Sequence, residues 1–507
     1  MADVLIVGTG PTGLTLAIEL LRRKISVRLI DEKETFSPFS KALALQSRSL
    51  ELFEKMGMIS SFLEAGLKAH NIHIHWKKKT ASFSLEGLPT PFPFILLLAQ
   101  NETEKILHKY LEQLGGVVEW QTRLVDISQH QAVLINAKQE KEIDHSPWIV
   151  GCDGAHSTLR KLLGFPFKGA NFPEYFVLAD FESDLNKQFD EPNVFLNPEG
   201  FAPVFPFSRP TKYRVIFPLE KEIPSENLNK DTLDSLMKSR GIETIPIKDI
   251  SWISTFQIHR RMTEEMRHDN LFLAGDAAHI HSPVGGQGMN TGIQDAVNLA
   301  WKLALVIQGS SEKTLLDTYQ VERHPQARAV LKGTTCMTQL LTFSQKWCPV
   351  LFWWTLKMAS SSQFFHEKIL KALTEIDINY RASSGVIKEK KEEEGWKGPH
   401  AGDRAPDAYL NNGVRLFDLL KSTSHVLLLF DEHPELTQAV KAEYGQLINM
   451  YVAYGEDIRK KYAAGSKSLY LIRPDGYISY RTQTFIMEEL FGNLLKTFKP
   501  FSLRNKM

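Results

Sequence analysis

The sequence predicts an α/β protein: a parallel sheet assembled from separated segments, a strand-rich insertion within it, and a compact α/β unit at the C-terminal end. Three observations predict it. Between Val4 and Asp31 a strand, a glycine turn, a helix, a second strand and an acid follow in order. Two more short strands run into Asp153–Gly154 and Gly275–Asp276, each followed by a helical pattern. Between those turns the pattern is mostly strand, and after residue 395 strand and helix alternate again.

The first unit reads VLIVGTGPTGLTLAIELLRRKISVRLID. Residues 4–7 have the length and apolarity of a buried parallel strand. The strand breaks at Gly8, Gly10 and Gly13, and Leu14, Ala17, Ile18 and Leu21 then recur at helical spacing. Residues 25–30 form the second strand, ending in Asp31 and Glu32. Gly8 permits the tight turn, Gly10 lets backbone approach a pyrophosphate, and Gly13 lets helix pack closely on strand. The helix start offers N–H groups and a positive dipole end to phosphate. Asp31 is placed to accept hydrogen bonds from ribose hydroxyls. Glycines alone would mark only turns; in this order of elements they predict a site for an ADP moiety.

At 507 residues the chain exceeds one core, so two or three domains are expected. Lys and Arg number 60 against 59 Asp and Glu, which excludes the basic footprint of a nucleic-acid binder. With the first strand starting at Val4, no signal or transit peptide is expected, and the expected location is cytoplasmic. Cys152, Cys336 and Cys348 form no C-x-x-C pair and no metal-ligand spacing, so reduced thiols and no metal site are expected. The most apolar surface candidate is WCPVLFWW, residues 347–354. Lys346, Pro349 and Lys357 bound or interrupt it, so no integral membrane segment is expected. A helix packed on the main body is favoured there over peripheral membrane contact.

Taken in order, residues 40–58 predict a helix with Leu45, Leu50, Leu52, Phe53 and Met56 on its apolar face and Gly57 at its end. Residues 70–98 alternate and predict strands. His73 and His75 share a strand face with no carboxylate or cysteine partner nearby, and read as exposed strand histidines. Gln100 opens an amphipathic helix with Asn101 or Thr103 as cap and Gly115 as stop. Strands over 117–120 and 124–127 follow, then a hairpin or meander over 132–143. A strand over 148–150 runs into Asp153–Gly154 and a helix carrying Ser157, Thr158 and Arg160. Residues 165–256 are mostly strand, with one helical piece near 231–240, and read as a substrate-binding wall. The strand over 271–274 ends at Gly275–Asp276; Gly285, Gly286 and Gly288 precede a long helix from about Met289, again an anion site. Residues 312–380 read helical. The charged run KEKKEEE, residues 388–394, is the best domain boundary. Beyond it, with a hairpin turn at RPDG (473–476), the pattern suits a small thioredoxin-like sheet without dithiol chemistry.

GTGPTG with Asp31, GCDGAHSTLR, and AGDAAHIHSPVGGQGMNTGIQDAVNLAWKLA together resemble the class A flavoprotein monooxygenases, the aromatic hydroxylase family. LLDTYQVERHPQA, GDRAP and LIRPDGYISYR extend the resemblance over nearly the whole chain. The tail is similar to the subgroup that includes phenol, phenylpropionate, polyketide and rifamycin hydroxylases. The resemblance implies a Rossmann-like FAD-binding domain, an inserted strand-rich substrate domain and a C-terminal thioredoxin-like α/β domain. It assigns residues 1–70, 100–167 and 269–385, helical region included, to the FAD-binding part. Residues 71–99 and 168–268 fall to the substrate domain, and 396–507 to the tail.

Carried onto matching positions, the resemblance implies that Gly8, Gly10, Thr12 and Gly13 hold the FAD pyrophosphate. Asp31 would take the adenosine ribose with Glu32 beside it, Gln100 would contact the flavin, and Leu124 would line the adenine side. Asp276 would bind the ribityl or pyrophosphate region. The amides of Gly288, Met289 and Asn290 would face flavin N1 and O2, where charge grows on reduction. Asp153, Thr158 and Arg160 would serve FAD and nicotinamide together. Lys41 stands where an arginine is usual, keeping charge but losing the bidentate fork. No catalytic acid or base is named, His279 and His281 being read as loop-structural.

The implied reaction is FAD-dependent, NAD(P)H-driven hydroxylation of an aromatic or polycyclic small molecule by molecular oxygen, through a flavin C4a-hydroperoxide. The alternatives are a flavin-dependent epoxidase or reductase, and a flavin-binding protein without turnover. The substrate, NADH against NADPH, and oligomeric state, a homodimer through the tail included, stay open.

Overall fold

The computed structural model describes residues 1–504 except 129–130, 185–188, 208, 243–244, 283–284, 348 and 388–394. The expected boundary at 388–394, and Cys348, lie outside the described residues.

The strand Val4–Val7 is wholly buried at the centre of a six-stranded sheet. Trp148–Gly151 pairs with it in parallel on one side and Val27–Ile30 on the other. Leu271–Leu273 and Val118–Glu119 extend the two sides in parallel, and Arg267–His268 closes an edge antiparallel. Parallel strands bury both faces. The helix Pro11–Leu21 packs on both Gly288–Ile307 and Gln100–Gln113, and Leu14, Ile18, Leu107, Ala296 and Leu303 join the strands in the main core. Because these strands run the same way, their carboxyl ends share one edge. Gly8, Asp31, Asp153 and Asp276 therefore meet there, although up to 268 positions separate them in the chain.

Two local expectations are corrected. The helix expected over 40–58 covers only Ser47–Met56, because Ala44–Leu45 is drawn into pairing with Ile95–Leu97; it does end at Gly57, in the left-handed region at φ 82°. Neither Asn101 nor Thr103 caps the helix Gln100–Gln113: it begins before both, with Ala99 at the cap position and no side-chain bond there.

The strand-rich insertion is an eight-stranded sheet, mainly antiparallel, whose longest members are Phe167–Glu182 and Asp249–Thr263. Asn229 caps the helix Lys230–Ser239 by accepting from Thr232 N–H at 3.0 Å. That helix buries Leu233 and Met237 against Val177, Val215 and Phe217 of the sheet. His73, unlike His75, does find a carboxylate partner that was not expected. His73 Nε2 lies 3.0 Å from Glu191 and His75 Nε2 2.7 Å from Asn193, supplied by a loop and strand 118 residues away. Two helices, Pro349–Ser361 and Gln363–Leu373, cover the hairpin of Asn71–Trp76 and Lys79–Ser84; Trp353 is buried against Trp76, whereas Trp354 is exposed.

The tail is a four-stranded sheet ordered Ile448–Val452, His425–Leu429, Leu469–Ile472, Ile478–Thr482, with the first pair parallel and the others antiparallel. The hairpin turn at 473–476 forms, with Gly476 at φ 81°. Buried charges lock this sheet to the body. Arg473 reaches both oxygens of Glu322, at 2.7 and 2.9 Å, and Lys302 Nζ lies 2.8 Å from the same carboxylate. Arg404 bridges to Glu51 at 3.0 Å.

Candidate functional site

At the first turn Gly8 has φ 106°, and a Cβ on Gly13 would lie 1.9 Å from the Gly8 carbonyl oxygen. Both glycines are demanded by the fold itself. Gly10 is not: a Cβ there meets no atom within 4 Å. Gly10 is also the cap position of the helix Pro11–Leu21, with no side-chain bond, so the helix opens its first amides to the cleft.

Asp31, buried at the end of its strand, holds this turn. Its Oδ2 accepts from the Thr9 N–H at 2.8 Å and the Thr9 hydroxyl at 2.7 Å, and its Oδ1 from the Lys33 N–H at 3.0 Å. Glu32 is exposed. Thr12 faces inward rather than toward the cleft. Its Oγ1 sits against Gly275 and Gly292, where added Cβ atoms would lie 2.6 and 2.3 Å from it. The starts of Pro11–Leu21 and Gly288–Ile307 therefore adjoin through Thr12.

In the second turn Asp153 Oδ2 accepts from the amides of Thr158 at 2.7 Å and Leu159 at 3.2 Å. Burial pushes this carboxyl up, and its Oδ1 has no partner within the protein. Arg160 is a strut: it donates to the carbonyls of Ala277 and Ala155, both at 2.8 Å, and stacks on Phe167 at 3.8 Å. It thus ties the second turn to the third.

The third turn rests on residues that the sequence did not single out. Asp295 Oδ2 accepts from Gly275 N–H at 3.0 Å and lies 2.7 Å from His279 Nε2; its Oδ1 lies 2.7 Å from Arg323 Nε. Burial opposes the charge on Asp295, but His279 and Arg323 overcome it and hold the carboxyl at about 2. An acid and an arginine inside buried helical stretches were the only visible signal. Asp276 keeps its side chain open to the cleft.

Asn290 uses its side chain on the loop, not outward. Its Oδ1 accepts from Gln46 N–H at 2.8 Å, and its amide donates to the carbonyls of Ala44 at 2.9 Å and Gly286 at 2.7 Å. With no side-chain cap at Gln287, the N–H groups of Gly288, Met289 and Asn290 stand at the helix start, and a Cβ on Gly288 meets nothing within 4 Å. Gln100 accepts from Ala42 N–H at 3.1 Å and donates to Glu104 at 2.9 Å, which shapes the loop bearing the exposed Lys41. Arg214, another residue missed in sequence, grips the loop from the strand-rich sheet. It donates to the carbonyls of Ser40 at 2.7 Å and Lys41 at 3.1 Å, while paired to both oxygens of Asp180 at 2.7 Å. Leu124 is buried in the main core.

Two adjoining uncapped helix starts, vacant space at Gly10 and Gly288, and acids at the strand ends fit a dinucleotide: amides for the pyrophosphate, carboxylates for hydroxyls. The unpartnered Asp153 Oδ1 adds one acceptor at the same edge.

Comparison with known proteins agrees. The FAD-binding domain family matches residues 1–334, and the C-terminal domain of aromatic-ring hydroxylases matches residues 398–498. A flavin-dependent monooxygenase of Mycobacteroides abscessus is 33% identical, covering 95% of this chain and 97% of its own. Pentachlorophenol 4-monooxygenase of Sphingobium chlorophenolicum is also 33% identical, covering 84% of this chain and 80% of its own. Among solved structures, an anhydrotetracycline hydroxylase from Streptomyces rimosus superposes with a TM-score of 0.82 at 26% identity, over 98% of this chain and 99% of that one.

Proposed function

The chain belongs to the class A FAD-dependent aromatic hydroxylases, flavin monooxygenases, and from that premise we propose that it uses NAD(P)H and molecular oxygen to hydroxylate an aromatic or polycyclic small molecule. When bound, FAD would supply the redox chemistry, with the nicotinamide as two-electron donor and molecular oxygen as oxidant, one oxygen atom ending on an electron-rich ring and the other in water. The residues supply position. The amides at the start of Pro11–Leu21 hold the pyrophosphate, and Asp31, already oriented by Thr9, receives the ribose. Asp276 and the Asp153 Oδ1 accept from hydroxyls. The amides of Gly288, Met289 and Asn290 offset negative charge on the flavin N1 and O2 side, where a preorganised dipole acts without rearrangement. Gln100 and Arg214 hold the loop that carries Lys41, so that its cation stays beside the cleft and serves the nicotinamide phosphates.

The observation that carries this reading is the junction of the two uncapped helix starts through Thr12, with room for a ligand at Gly10 and Gly288. The substrate class is supported by the relatives' names, one a chlorinated phenol monooxygenase and one an anhydrotetracycline hydroxylase. A small buried apolar cluster of Leu43, Ala99 and Phe207, with Phe205 against it, joins the Lys41 loop to the strand-rich sheet.

The test is NADH and NADPH oxidation by FAD-loaded protein in air with phenols and linear polycyclic phenolics. A substrate is expected to accelerate oxidation and to leave a product heavier by one oxygen atom. Hydrogen peroxide as the sole product with every compound would overturn hydroxylation.

A further inference from the structure

The helices Pro349–Ser361 and Gln363–Leu373 have one face accounted for and one not. Inward, Trp353 stacks on Trp76 at 5.7 Å, His366 on Phe83 at 5.6 Å, and Leu370 joins the core beneath the Lys79–Ser84 strand. Outward, Leu351, Trp354 and Met358 recur at i, i+3 and i+7, and Phe364, Phe365 and Ile369 continue the ridge on the second helix. Met358 is 65% and Phe364 70% exposed, and Phe364 lies edge-on to the exposed Phe365 at 5.5 Å; large apolar side chains left in water this way mark a contact surface.

The charge around the ridge is mostly positive. From 357 to 371 the chain holds three lysines (357, 368 and 371) and one acid, Glu367, although its overall charge is only +1. Glu367 lies 2.6 Å from Lys371. The adjacent hairpin turn adds the exposed Lys77, Lys78 and Lys79, and Lys79 Nζ lies 6.0 Å from the Trp354 ring centre.

We propose that this ridge docks on an anionic phospholipid bilayer, its aromatic and aliphatic side chains seated at the headgroup boundary and its lysines on the lipid phosphates. No described helix is long and apolar enough to cross a membrane, so the contact lies on the surface. A second copy of the chain suits the ridge less well, because a two-fold pairing would set lysine against lysine with one acid per chain to offset them.

The test is co-sedimentation of full-length, FAD-loaded protein with vesicles of phosphatidylcholine alone and of phosphatidylcholine mixed with phosphatidylglycerol. Binding to the mixed vesicles only is expected. The triple variant K77Q/K78Q/K79Q should weaken it about a hundredfold, since each lysine near such a surface contributes roughly fivefold. The double variant Phe364→Ser with Phe365→Ser should abolish it, with flavin content and melting temperature unchanged, because both rings are exposed. Equal binding to both vesicles, no binding to either, or a dimer in sedimentation velocity that the phenylalanine variant splits would overturn the proposal.

Discussion

Asp295 and Arg323 meet as a fully buried ion pair, 2.7 Å apart, behind the turn that Asp295 also holds through the Gly275 N–H. Neither touches the cleft, yet both set where Asp276 stands. Asp295→Asn leaves the guanidinium of Arg323 without its counter-charge in a dry site. We expect a loss of about 3–5 kcal/mol in denaturant unfolding. Purified protein should also carry less flavin, read from visible absorbance.

Gly10 and Gly13 separate ligand binding from folding. Gly13→Ala drives a methyl into the Gly8 carbonyl, and no soluble folded protein is expected. Gly10 has φ −66° and ψ 176°, which alanine adopts without strain, and open space beyond it. Gly10→Ala should leave the melting temperature of the flavin-free protein unchanged and weaken FAD binding at least tenfold in a fluorescence titration. Unchanged affinity would move the pyrophosphate away from this turn.

Glu375 gives stability a pH dependence. Burial pushes its carboxyl up to about 8 from 4.5, although Thr291 at 3.0 Å and Gln294 at 2.6 Å donate to it. A raised folded pKa means that the stability tied to its neutral form is complete below 4.5 and is lost as pH rises toward 8. Melting temperature should fall across that window in the native chain, and fall less in Glu375→Gln. Parallel curves for the two proteins would refute the assignment.

Lys55 acts in the opposite sense. Its Nζ is buried between body and tail without a hydrogen-bond partner, and burial, with Arg48 adding to it, lowers its pKa to about 7. A depressed lysine loses stability as pH falls from 10.5 toward 7, because the unfolded chain takes up the proton first. Lys55→Met should therefore stabilise the protein by about 1–4 kcal/mol near pH 7, with a smaller gain at pH 9. The comparison of denaturant midpoints at the two values decides it.

The elements legible in the sequence were those whose cause is local. The glycine spacing at Gly8, Gly10 and Gly13, the stop at Gly57 and the hairpin at Gly476 each reflect backbone sterics within a few residues. Periodicity likewise marked the parallel strands and the long helix after Gly288. The family motifs named the three turns that the parallel sheet gathers at one edge. Position within each turn was less legible. Thr12 carries its hydroxyl inward because the helix it begins crosses Gly292, and Asn290 spends its amide on Ala44 and Gly286, neither of which its own neighbours reveal.

What the sequence by itself determined is the order of strands and helices, the glycine turns and hence the family chemistry they allow. Only the tertiary structure decided that Asp295 would pair with Arg323, Arg214 with Asp180, and His73 with Glu191, and which face of the helices near Trp354 would stay uncovered. The physical reason is range. Turn sterics and helical periodicity act within a few residues, whereas an ion pair or an exposed face exists only after distant segments have packed and chosen which side chains lose their water.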